Sequence, residues 1–107
     1  MTSDKEPEPQ WRQCDFSNAE VRAGDVGHYV LEVSGEAKAS ELAPLAKLSP
    51  RVYVVQPDYW EIDVLERGDS PFNEKQRFTL TLPLDKCRGT KGIKVLGKRT
   101  SKQINVP

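Results

Sequence analysis

The sequence predicts an all-β chain: a single antiparallel β-sandwich of six to seven strands with one short helical turn. Three observations carry that expectation. Apolar side chains recur at every second position in several separate stretches, as they do along strands with one buried face. Clusters of Gly, Pro, Asp and Ser separate those stretches at short intervals. No stretch alternates strand and helix as βαβ units do, which argues against a parallel sheet. The 107 residues suffice for one domain and are too few for two ordinary ones.

Residues 1–10 are polar and acidic, with Pro7 and Pro9, and predict a disordered arm ahead of a domain spanning 11–107. They lack the apolar core of a secretory signal. Read as it stands, the sequence predicts a cytoplasmic chain; an exported chain whose leader had been removed would read the same. No run approaches the ~18–20 apolar residues of a membrane span.

From Trp11 the elements follow in order. Cys14 and Phe16 share one side of a first short strand. Ser17 to Glu20 matches a capping box and Gly24 could end a helical turn, yet Ala19 and Val21 also alternate, and a kinked strand is preferred. Tyr29, Leu31 and Val33 define a half-buried strand that Gly35 loosens or bulges. Between 37 and 50, Leu42, Leu45 and Leu48 recur every third residue and Pro44 forbids a long helix, so a short helical turn begun by Ser40 is expected. Arg51–Gln56 is rich in β-branched and aromatic residues and reads as a strand. Pro57-Asp58 turns into a further strand carrying Trp60, Ile62 and Val64. Residues 67–73 form a loop, and Phe78, Leu80 and Leu82 mark the most regular strand. Gly92–Leu96 and 101–106 close the chain as a hairpin about the turn 97–100.

Short strands at this spacing fit a sandwich of immunoglobulin-like architecture, with a small β-barrel as the alternative. The likeness is architectural only. The Cys–Trp–Cys arrangement of immunoglobulin domains is missing, because Cys14 lies on the first strand.

Formal charge is zero overall but unevenly distributed. Residues 86–107 carry seven bases and no acids, whereas residues 1–85 carry sixteen acids and nine bases. Such a tail suits an acidic partner, or pairs with acidic strands of the same domain. The two cysteines, Cys14 and Cys87, have no metal-ligand spacing. As a disulfide they would close a loop of roughly 70 residues, worth ~4 kcal/mol in the chain-entropy model. That pairing requires an oxidising compartment and Cα atoms within about 7 Å.

The sequence holds no recognisable catalytic motif. Gly92 to Lys98 matches the skeleton G-x-x-x-x-G-K, but Arg99 replaces the required Ser or Thr, and the inner residues read as a strand. His28 is the single histidine, and nothing in the sequence joins it to Cys14, Cys87 or a serine. Glu61 and Asp63 share a strand face at about 6.6 Å, a spacing that would suit a catalytic acid pair and equally a solvent-facing polar edge. No metal and no cofactor are expected. The expected function is a non-catalytic module binding another protein, as an inhibitor or accessory subunit. The contact residues expected are Tyr59 at a turn and Lys98 and Arg99 in the last hairpin. The alternative is a single-stranded nucleic-acid-binding barrel using Tyr53 and Phe78 for stacking, which the neutral net charge disfavours.

Overall fold

A computed structural model describes residues 10–39, 45–68 and 73–107. The described residues form eight strands and no helix: β1 Trp11–Gln13, β2 Asn18–Ala23, β3 Tyr29–Lys38, β4 Ala46–Pro50, β5 Tyr59–Arg67, β6 Lys75–Pro83, β7 Gly92–Leu96 and β8 Ser101–Asn105. They pack as two sheets in a sandwich that does not close into a barrel. One sheet joins β2, β3 and β6. The other holds β5 at its centre, with β4 on one side and β7 followed by β8 on the other; β1 pairs with the last residues of β5.

Alternation builds the core. Leu31 and Val33 of β3 face Ile62 and Val64 of β5 and Ile93 and Val95 of β7, all fully buried, with Ala19 and Phe78 completing the layer. Each large aliphatic side chain buried in this way contributes about 1.5–3 kcal/mol. Gly35 neither loosens nor bulges β3, because its register with Phe78 is continuous. A Cβ there would stand 3.0 Å from the Phe16 backbone and 3.1 Å from the Phe78 ring, so the glycine makes room for both aromatic residues.

Three expectations change. β4 occupies 46–50 as a strand, where a helical turn was expected; the start of that turn, at Ser40, lies outside the described residues. Leu48 of this edge strand and Leu45 just before it, whose spacing suggested helix, pack half-buried against the core. Arg51–Gln56 is an exposed loop and not a strand, since only the Arg51 N–H continues the ladder, to the Glu61 carbonyl. Finally, β5 and β7 run parallel, with Tyr59 beside Gly92 and Asp63 beside Leu96. No helical crossover is needed, because the chain leaves β5, traverses the opposite sheet as β6 and returns as β7.

The connectivity sorts the loops to two ends. The β2–β3 turn, the β4–β5 loop and the β6–β7 loop lie where β5 begins. The β1–β2 and β7–β8 connections lie where β7 ends. No helix among the described residues is long and apolar enough to cross a membrane.

Candidate functional site

The loop from Arg51 to Asp58 presents its apolar side chains outward. Val52, Val54 and Val55 are 95%, 102% and 78% exposed, although the backbone that carries them is fastened at several points. Tyr53 turns inward. Its ring meets Trp60 edge-on with centroids 5.0 Å apart, and its hydroxyl donates to Glu61 Oε1 at 3.0 Å. The Trp60 indole N–H donates to the Arg51 carbonyl at 2.8 Å. At the other end of the loop, the Thr90 N–H donates to the Pro57 carbonyl and the Lys91 N–H to the Asp58 carbonyl, at 2.9 and 2.8 Å. The Gln56 amide donates to the Arg88 carbonyl at 2.9 Å.

An ion-pair cluster anchors the base of this loop. Arg51 spans Glu61 and Asp63, with Nη1 3.1 Å from Glu61 Oε1 and Nε 3.0 Å from Asp63 Oδ2. The Gln13 amide donates to Asp63 Oδ1 at 2.9 Å. Burial pulls the Asp63 carboxyl upward, but hydrogen bonds from Arg51 and Gln13 outweigh it and hold its pKa below the usual range. The hydrogen bond to Asp63 correspondingly raises the pKa of Arg51. The two carboxylates on this strand face are therefore committed to one guanidinium, which positions the loop.

More exposed groups share this end. Val26, in the β2–β3 turn, is 98% exposed. His28 Nδ1 lies 2.7 Å from Asp85 Oδ1, a partner on the β6–β7 loop that nothing in the local sequence signals. Arg88 sits over the Tyr29 ring at 5.5 Å and donates to the Val106 carbonyl at 3.0 Å.

The expected contact residues are not brought together. Tyr59 starts β5 at the valine-bearing end, half-buried, with its hydroxyl donated to Asn105 Oδ1 at 2.7 Å. Lys98 and Arg99 lie in the β7–β8 turn at the opposite end, where the Thr100 N–H donates to Asp15 Oδ1 at 3.0 Å. Of the basic tail, Lys94 does pair in register with Glu61 of the acidic strand β5. Cys14 and Cys87 are also separated, and both are free thiols. Cys14 Sγ approaches the Glu36 carbonyl at 3.5 Å and Cys87 Sγ the Pro83 carbonyl at 3.4 Å. Pro83 pairs with Val30, six residues before Glu36 on β3, or ~20 Å along the strand. A disulfide within this chain does not fit that placement. Sequence reasoning missed the three valines because it placed them in a strand. The signal available was a run of consecutive apolar residues, without alternation, flanked by Pro50 and Pro57.

The chain matches no protein-family model, and it finds no significant match among curated proteins or solved structures.

Proposed function

We propose that this chain is a non-catalytic protein-binding module, serving as an inhibitor or accessory subunit, whose contact surface is the Val52–Val55 segment. The observation that carries this reading is the exposure of three valines on a loop fastened by Tyr53, Arg51, Gln56 and the Pro57–Asp58 carbonyls. Apolar side chains held out in water by a pre-ordered backbone lose little conformational freedom on docking. Burying each contributes about 1.5–3 kcal/mol, so the valines supply the apolar centre of the contact and the surrounding polar groups supply register.

The partner this surface suits is a protein with a shallow apolar depression. The same end carries both signs of charge, with Lys91 3.9 Å from Asp58 and His28 beside Asp85, so it has no basic excess to attract an anionic lipid surface. Presenting contacts from loops at one end is also how immunoglobulin-like sandwiches bind, an analogy of architecture alone. The nucleic-acid alternative gains no support: Phe78 is buried and Tyr53 is engaged by Trp60 and Glu61.

The test is an affinity capture with wild-type chain and with a Val52→Asp/Val54→Asp variant as bait, after circular dichroism has shown equal folding. A partner retained by wild type and lost by the variant supports the reading. Equal retention, or no partner at low salt, overturns it.

A further inference from the structure

The end opposite the valines holds a cleft of about 280 Å³ that four separate segments line with cationic side chains. Lys38 comes from β3, Lys75 from β6, and Lys98 and Arg99 from the β7–β8 turn. Arg12 of β1 also lines it but is paired, with Nε 3.3 Å from Glu66 Oε2.

The carboxylates of the cleft are unequally committed. Glu66 takes Arg12 and, through Oε1, the backbone N–H of Lys38 at 2.9 Å. Asp15 accepts the backbone N–H groups of Arg99 and Thr100, which hold its pKa below the usual carboxylate range. Glu36 remains, exposed, and its carboxylate accepts no hydrogen bond from a described residue. Five cations thus meet three carboxylates, two of which are occupied. The side chains of Lys75, Lys98 and Arg99 make no hydrogen bond or ion pair with described residues. In a chain of zero formal charge this is a local excess of positive charge.

We infer that this cleft binds a small tetrahedral oxyanion, a phosphate or sulfate group carried by a small molecule. A guanidinium and neighbouring ammonium groups on different segments match the several oxygens of such a group. An extended polyanion fits less well, because Glu36 and Asp15 flank the cations and would repel its continuation. The inference is independent of the valine surface.

Amide NMR of the full chain tests it, with inorganic phosphate titrated at pH 7.5 and constant ionic strength, and with sulfate and chloride as further arms. Saturable shifts centred on Asp15, Arg99 and Thr100, with a dissociation constant of about 1 mM or below, are expected for phosphate or sulfate and not for chloride. A response to phosphate alone or sulfate alone assigns the group. A Lys75→Gln/Arg99→Gln variant keeps both backbone N–H bonds to Asp15 and is expected to bind about five- to thirtyfold more weakly. Glu36→Gln is expected to bind more tightly, a gain that general surface charge at distant lysines would not produce. Shifts that never saturate, that spread equally to Lys86 and Lys91, or that are unchanged in both variants overturn the inference.

Discussion

The Lys102 ammonium of β8 donates to the backbone carbonyl of Ala19 in β2 at 2.7 Å, tying one sheet to the other where both reach an edge. An edge carbonyl left free is a template for pairing with another chain, and a lysine there blocks the approach. Lys102→Met is expected to lower stability by about 1 kcal/mol, with a greater tendency to self-associate. Thermal unfolding and sedimentation at matched concentration check both effects.

Two glycines separate backbone strain from steric overlap. Gly92 has φ 158° and opens β7 against β8, where a Cβ would overlap the Ile104 carbonyl. Gly27 has φ 77° and open space around its Cβ position. Gly92→Ala is expected to cost about 3 kcal/mol or more, and Gly27→Ala about 1 kcal/mol. Urea denaturation of the two variants measures the difference.

The valines of the β4–β5 loop are exposed and are expected to contribute little to folding. Val54→Ser is expected to change stability by no more than about 0.5 kcal/mol, because the side chain is as exposed folded as unfolded. Val64→Ala, fully buried on the same sheet, is expected to cost about 2 kcal/mol or more. Denaturation midpoints that moved equally would contradict this division.

Asp63 and Asp15 both titrate below their ordinary value of 3.8 in the folded chain. A carboxylate with a depressed folded pKa contributes stability above its unfolded pKa and loses it as pH falls through the folded one. Stability is therefore expected to be level from neutral pH down to about pH 5 and to fall below about pH 4. Asp63→Asn is expected to flatten that acid limb while lowering stability at pH 7, as melting temperatures across pH would record.

Burial first, then the charges of Glu66 and Asp15, push the Cys14 thiol up to about 11; burial likewise raises Cys87. Both are thus protonated at neutral pH and screened from reagents. Alkylation of the native chain at pH 7.5 is expected to be slow. Denaturation without reductant is expected to expose two reactive thiols, counted by mass.

What was legible in the sequence follows from one rule: alternation reports a buried face. Leu31, Val33, Ile62, Val64, Phe78, Ile93 and Val95 all belong to runs in which apolar residues recur at every second position, and all are buried. The rule is silent for Val52 to Val55, where neighbouring apolar residues define no face. It misleads at Leu45 and Leu48, whose spacing of three suits a helix although Leu48 packs from an edge strand and Leu45 from the residue before it. It also carries no information about which sheet a strand joins, so the parallel union of β5 and β7 was invisible. The cleft was legible only as Lys98 and Arg99, because Lys38 and Lys75 reach it from the other sheet.

The detour of the chain through β6 has a kinetic consequence. β5 and β7 are separated along the chain by β6, which pairs with β3 in the other sheet, so the middle of the larger sheet is assembled from segments distant along the chain. Such non-local closure makes for folding slower than in a simple meander of hairpins. During synthesis β5 lacks its parallel neighbour until Gly92–Leu96 emerges.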